Sequence, residues 1–256
     1  MKNIWILAVL VVNPAWGSLP DLRETSQTWI DLGVEDGVRV FRQDLPGSRL
    51  VAFRGEAVVA ADIPRLAQVL SDSPRKVEWM AALAEARTLH KSNLLDRIEY
   101  NHTSVPWPFQ DREFVFRARI EIDREAGTFT AKMRSIESPT EAPETSGLVR
   151  GVLESSTIHL RSLPPDAATG QPATHVTVEI RADPKGNVPK WLVNLFQRDW
   201  PRKTLLGIQR QVAKADVGEE LEVKAFLDGK YGADPIATPE KLAKYLENAT
   251  RKASRD

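Results

Sequence analysis

The sequence predicts an α+β domain in which a curved antiparallel sheet grips a long C-terminal helix. Three observations predict it. Between about Leu83 and Arg181, runs of strand length alternate apolar and polar side chains, the period-two pattern of strands covered on one face. After them, Val188, Trp191, Leu192, Leu195 and Phe196 recur at i, i+3, i+4, i+7 and i+8, the apolar stripe of an amphipathic helix. Strands come first and one strongly one-sided helix follows, so that helix has to lie on the sheet.

The elements follow in order. Met1 to Gly17 has one early cation, Lys2, a short apolar run to Val12, and small residues at Ala15 and Gly17. It is expected to be a secretory leader, because the run is too short to span a bilayer. Asp21 to Leu32 reads as a short helix with Leu22, Trp29 and Ile30 apolar. Val38 to Phe41 and Leu50 to Val59 read as strands around a Pro46-Gly47 turn. Asp62 is an N-cap candidate for a helix that places Ile63, Leu66 and Leu70 on one face. Five or six strands are expected between Leu83 and Arg181. The clearest runs after Asp111: Phe114, Phe116, Ala118, Ile120 and Ile122 alternate with Glu113, Val115, Arg117, Arg119 and Glu121. One side is apolar and the other almost wholly charged, as in an antiparallel sheet wet on one face. Phe129, Ala131 and Met133 repeat the pattern, and so do Val176, Val178 and Ile180. Ala126-Gly127 and Asp183 to Gly186 supply turns. Pro189 suits a first helical turn, and Pro201 is expected to kink the helix. Residues 216–256 read as an appended helical extension beyond a domain over 18–215.

Composition narrows the function. The chain balances 35 basic against 35 acidic residues, and losing a leader that holds only Lys2 leaves one extra acid. A near-neutral protein is not built for bulk phosphate attraction, so a nucleic-acid partner is not expected. With no cysteine, disulfides and thiolate chemistry are excluded. The four histidines, at 90, 102, 159 and 175, show no metal-ligand spacing, and no nucleophile elbow or phosphate-cradling glycine loop is present. Asp111, Arg112 and Glu113 read as a structural ion-pair group at a strand start. No catalysis, metal or cofactor is expected.

Four segments, in order, carry a resemblance. Gly37-Val-Arg-Val opens the domain. Pro106-Trp-Pro-Phe-Gln-Asp-Arg-Glu-Phe-Val115 resembles a Pro-x-Pro…Asp-Arg-Asp-Phe-Val segment with Glu113 in place of the second Asp. Ser138 to Arg150 resembles a loop and strand. Asp183-Pro-Lys-Gly-Asn-Val-Pro-Lys-Trp-Leu-Val-Asn194 is similar to a Pro-Gly-Gly-x-Ile-Pro-x-Trp-Leu-x-Asn helix start with Lys185 in place of one Gly. Over about Gln27 to Lys214 the chain resembles the START (StAR-related lipid transfer) domain, in a secreted bacterial form. The resemblance implies a helix-grip fold holding one phospholipid, sterol, sphingolipid or pigment in an internal hydrophobic cavity and carrying it without catalysis.

Alternation alone fits a solid core, because apolar faces ordinarily just pack. The resemblance instead implies a cavity lined by Phe114, Phe116, Ala118, Ile120, Met133, Val152, Ile158, Val176, Trp191, Leu195 and Phe196. A buried head group needs polar partners. Arg150 and Glu154 share parity with Val152, Ser156 and Ile158, and His102 shares parity with Ile98 and Tyr100. Arg150, Glu154 and His102 are therefore the candidate polar anchors, unless a bulge turns them to solvent. The breaker-rich loop from Ser138, with Pro139, Pro143, Gly147 and a tip at Leu148, is the candidate gate. The resemblance implies that it swings against the helix. Lys185, Lys190, Arg198, Arg202, Lys203 and Arg210, with Trp191 and Trp200, suit transient contact with an anionic membrane and equally a solvated helix face.

The expected protein is an exported, periplasmic or secreted monomer that binds a lipid and carries it across an aqueous compartment. A polyketide cyclase-like or aromatase-like enzyme working in the same cavity is the alternative, with Arg150, Glu154 and His102 as acid–base groups. A lipid-sensing module is another.

Overall fold

A computed structural model describes residues 28–45, 50–137, 142, 144, 145, 147–186, 188–231 and 234–253. The backbone alone is described at 190–192, 194–197, 246 and 248–253. The expected leader, the Pro46-Gly47 turn, Pro139 and Pro143 lie outside the described residues, as do the side chains of Trp191, Leu195 and Phe196.

Strands β1 (Ile30–Glu35), β2 (Val38–Asp44) and β3 (Val51–Val59) lead into α1 (Ile63–Ser71) and a 3-10 turn (Ser73–Glu78). Next come β4 (Leu83–Asn93), β5 (Asp96–Thr103), β6 (Arg112–Asp123), β7 (Thr128–Ser135), β8 (Val149–Arg150), β9 (Val152–Leu163) and β10 (Ala173–Asp183). Helix α2 (Lys190–Val212), α3 (Leu221–Leu227), β11 (Ile236–Ala237) and α4 (Pro239–Ala253) complete the chain. The sheet order is β1-β2-β3-β10-β9-β7-β6-β5-β4, with the short β8 and β11 paired to the two ends of β6. Every pairing is antiparallel except β6 with β8. This is the predicted α+β fold, a long antiparallel sheet around a long C-terminal helix.

Most local expectations map onto local chemistry. Asp62 caps α1, its Oδ1 accepting from Arg65 N at 3.0 Å. On β6, Phe116, Ala118, Ile120 and Ile122 are buried, while Arg117, Arg119 and Glu121 are exposed. The expected helix ending at Leu32 is instead strand from Ile30, because Asp36-Gly37 makes a tight turn with both residues at positive φ, 52° and 76°. An Asp-Gly pair between apolar runs is a strong hairpin signal, and it pairs β1 with β2.

Helix α2 runs unbroken through Pro201. It lies on the β2-β3-β10 half of the sheet and approaches β3 closely, because Gly55 leaves room, while Gly207 makes room for the backbone at Trp79. A Cβ on Gly55 would meet Pro201 Cβ at 2.7 Å, and one on Gly207 would meet the carbonyl oxygen of Trp79 at 2.1 Å. Leu205, Ile208, Val40, Ala57, Val176 and Val178 fill this half solidly. The segment from 216 onward belongs to the same core: Val217, Val223, Phe226, Ala237 and Leu242 are buried in it. There β11 pairs with β6, and Asn93 Nδ2 donates to Pro239 O at 3.2 Å.

Candidate functional site

Beyond the edge of α2 the sheet is hollow. Between β5, β6, β7 and β9 on one side and Trp79, Met80 and α2 on the other lies a cavity of about 440 Å³. Its apolar wall is Phe114, Phe116, Ala118 and Ile120 from β6, Phe129, Ala131 and Met133 from β7, and Leu153 and Ile158 from β9. Ser104, Val105 and Pro106 after β5, Pro184 and Val188 before α2, and Val193, Trp200 and Lys203 on α2 continue the lining.

Of the expected lining, Phe114, Phe116, Ala118, Ile120, Met133 and Ile158 face this space. Two residues do not. Val176 is fully buried in the solid half beneath α2. Val152 faces the outer surface, because a bulge in β9 shifts the register opposite Arg181 and Ala182, so that Leu153 takes the inward place.

The expected anchors all lie on the other face of the sheet. The same bulge turns Glu154 outward, where it pairs with Arg181. Arg150 reaches Glu113 from the outer face, with Nη2 at 2.8 Å and Nε at 3.0 Å from Oε1. His102 donates from Nε2 to Asp111 Oδ2 at 2.8 Å. The expectation placed the apolar parity of β5, Ile98 and Tyr100, inward. Here both faces of β5 are covered. Ala142 and Ile136, from the loop after β7, pack with Tyr100, Val115, Leu89 and Ile98 into a small outer core. The apolar parity of β5 therefore serves the outside, and Arg97, Glu99, Asn101 and Thr103 line the cavity.

The loop expected to gate the cavity is the one that builds this outer core. Among its described residues, none lines the cavity. Thr145 N donates to Glu113 Oε1 at 3.1 Å, Arg150 Nη2 to Ala142 O at 2.9 Å, and Leu148 N to Thr145 O at 3.1 Å. Gly147 sits at positive φ, 87°, beside Leu148 in the same outer segment.

Asp111, Arg112 and Glu113 are not one ion-pair group. Each pins a different segment. Asp111 Oδ1 accepts from Val105 N at 2.9 Å and holds the loop after β5. That bond, with His102 beside it, keeps the Asp111 carboxyl below the ordinary carboxylate range. Arg112, which is buried, donates to the carbonyls of Gln110, Pro184 and Lys185 and holds the turn before α2. Burial lowers its pKa from the ordinary arginine value. Glu113, fully buried, also accepts from Tyr100 Oη at 3.1 Å. Burial pushes Glu113 upward, but the Thr145 and Arg150 donors outweigh it and leave the carboxyl below its usual value.

The deep end of the cavity carries a charge cluster that parity reasoning missed. Lys76, Arg97 and Glu99 are nearly fully buried. Lys76 Nζ pairs with Glu99 Oε2, and Arg97 Nε lies 3.3 Å from Glu99 Oε1. Ser73 Oγ also donates to Glu99 Oε1, at 3.4 Å, and Arg97 Nη1 donates to Ser71 O at 3.3 Å. Burial lowers the Lys76 pKa, and the facing Glu99 works against that. The available signal was the run Arg97, Glu99, Asn101, Thr103, an entire strand parity made of polar residues.

A family model of the START domain matches residues 15–199. The chain belongs to the START domain family. Similarity to individual proteins agrees. An uncharacterized protein of Pseudomonas aeruginosa is 29% identical over 209 residues, covering 82% of this chain and 96% of that protein. The crystal structure of a STAR-related lipid transfer protein fragment from Xanthomonas axonopodis is similar at TM-score 0.61 and 25% identity, over 73% of this chain and 99% of the fragment. Human StAR-related lipid transfer protein 5 shares the fold at TM-score 0.64 and 20% identity, over 74% of this chain and 88% of that one. In this START domain the cavity lies where the sheet and α2 part.

Proposed function

We propose that this START domain encloses one lipid or comparably hydrophobic molecule in the cavity and carries it through an aqueous compartment without altering it chemically. One observation carries the reading: beneath the long helix a sheet that could have packed solidly instead holds about 440 Å³ behind an almost continuous apolar wall. That volume falls within the roughly 300–1,000 Å³ of small-molecule sites. Each methylene moved from water to such a wall contributes about 0.8 kcal/mol. The Xanthomonas axonopodis relative, a STAR-related lipid transfer protein, supports the same class of cargo. The cyclase-like alternative rests on His102, Arg150 and Glu154, and these face away from the cavity.

The leader expected over residues 1–17 would export the protein, and a soluble carrier suits the gap between two membranes. Delivery needs a transient membrane contact. The expected basic helix face is weakened for that task, because Lys185 pairs with Asp183, Arg202 with Asp36 and Lys203 with Asp199. Trp107 is better placed. It is 92% exposed, between exposed Pro106 and Pro108, on the loop whose Ser104, Val105 and Pro106 line the cavity. A tryptophan there suits the headgroup layer. In this reading the protein works as a monomer.

The test is transfer of a fluorescent lipid from donor to acceptor vesicles, with native mass spectrometry of the purified protein. One retained hydrophobic molecule per chain and protein-dependent transfer are expected. An empty protein that neither takes up nor moves any lipid would overturn the proposal.

A further inference from the structure

The deep end of the cavity is more polar than an apolar cargo requires, and its polarity is one-sided. Glu99 is the one acid among its described residues, and both of its oxygens are engaged, Oε2 by Lys76 and Oε1 by Ser73 with Arg97 nearby. Around Glu99 the donors are in excess, whereas Asn101 Oδ1, farther along β5, is an acceptor with no partner among the described residues. Trp79 is 4% exposed and lines the cavity, yet its indole N–H has no hydrogen-bond partner among the described residues. Arg97 is 5% exposed, and its Nε–H, although near Glu99, does not point at that oxygen and is also unpartnered there. Two cations face one carboxylate. Asp72, the next acid to act on Lys76, does not line the cavity and is shared with Arg75. A buried donor without a partner and a buried charge without a counterion are both costly. What would satisfy both is a group that accepts hydrogen bonds and brings one negative charge.

The wall of the cavity guides the rest of the molecule, since Phe116, Ala118, Ile120 and Met133 offer only apolar contact. From Arg97 to Thr103 the polar wall of β5 runs about 20 Å, at roughly 3.4 Å per residue, toward the Ser104 to Pro106 end.

We infer that the cargo is an amphiphilic carboxylate, a long-chain fatty acid in kind, seated head-inward with its carboxylate on Arg97, Lys76 and the Trp79 indole N–H and its chain along the apolar wall of β6 and β7. This inference rests on the lipid-carrier reading and specifies the cargo. A neutral lipid could accept from these donors but would bring no negative charge to the second cation.

The experiment compares the affinity of the delipidated full chain for palmitate, for palmityl alcohol and for phosphatidylcholine vesicles, by calorimetry and by displacement of a fluorescent probe. Palmitate is expected to bind at least tenfold more tightly than the alcohol of equal chain length. Trp79→Phe keeps the ring and removes the N–H, and should weaken palmitate several-fold while leaving the alcohol unchanged. Arg97→Gln removes the excess cation and leaves the Lys76–Glu99 pair intact, so no charge is stranded, and should erase the preference for the acid. Circular dichroism confirms that each variant is folded. Equal or tighter binding of the alcohol overturns the inference and leaves the carrier reading intact. Uptake of phosphatidylcholine with no binding of palmitate does the same. Failure of all three probes overturns both.

Discussion

The two halves of the sheet face the same helix and are treated differently by it. Under the β2-β3-β10 half, α2 comes down until Gly55 leaves no room for a Cβ beneath Pro201, and Leu205, Ile208, Val176 and Val178 pack together there. Under the β5-β6-β7-β9 half the strands alternate just as cleanly, yet a cavity remains. The difference lies in what stands opposite. The solid half offers glycine and small aliphatic side chains, so the helix can approach. The hollow half offers aromatic rings and a buried Lys76–Glu99–Arg97 cluster whose polar groups cannot be pressed into an apolar interface without losing partners. Alternation specifies which face is apolar. It does not specify whether that face is filled.

The comparison can be broken most severely at the closest approach of α2, which is to the backbone of Trp79 at the margin of the cavity. Gly207→Ala places a Cβ against the Trp79 carbonyl, which as backbone cannot rotate away, and is expected to cost about 3 kcal/mol. Thermal denaturation followed by circular dichroism would show it, and an unchanged melting temperature would mean that α2 does not approach as described.

Slightly less severe is the loss of the clamp that holds the outer loop against the hollow half. Glu113→Leu strands Arg150 and Tyr100 beneath that loop and should cost about 2–3 kcal/mol in urea denaturation, whereas an exposed ion pair would move stability by less than about 1 kcal/mol. The same site predicts an acid limit. The Glu113 and Asp111 carboxyls lie below their ordinary values when folded, so their stabilisation is present above those values and fades as pH falls through the ordinary carboxylate range and below it. Stability measured from pH 7 down to pH 3 should fall in wild type, and fall less steeply in the Glu113→Leu variant.

Filling the hollow half should hardly affect the fold. Ala118→Phe projects a ring into open space rather than into packed atoms. It is expected to change stability by no more than about 1 kcal/mol and to abolish lipid uptake. A comparable enlargement at Gly55 should instead be destabilising. The mildest prediction concerns Trp107. Trp107→Ser should leave the melting temperature unchanged, since the ring is 92% exposed, and slow vesicle-to-vesicle transfer several-fold. Transfer at the wild-type rate would remove this loop from the docking surface.

Much of this was legible in the residues. The alternation of β6, β7 and β10, the Asp62 cap and the single long helix after the strands fixed an antiparallel sheet with a helix on it, because each rests on contacts between residues near in sequence or on one side of one strand. The apolar wall at Phe114, Phe116, Ala118, Ile120 and Met133 could be read the same way. The Asp36-Gly37 hairpin was equally legible and was obscured by the apolar spacing of Trp29 and Ile30. Three other features were decided by tertiary structure alone. The bulge in β9 inverted Val152 and Glu154, because a strand's parity holds only until one extra residue enters it. The loop after β7 folded onto the outer face of β5, so the apolar parity there pointed outward and the polar one, Arg97 to Thr103, lined the cavity. The hollow itself came from how closely α2 could approach each half of the sheet. That depends on atoms brought together from distant parts of the chain, which no local pattern records.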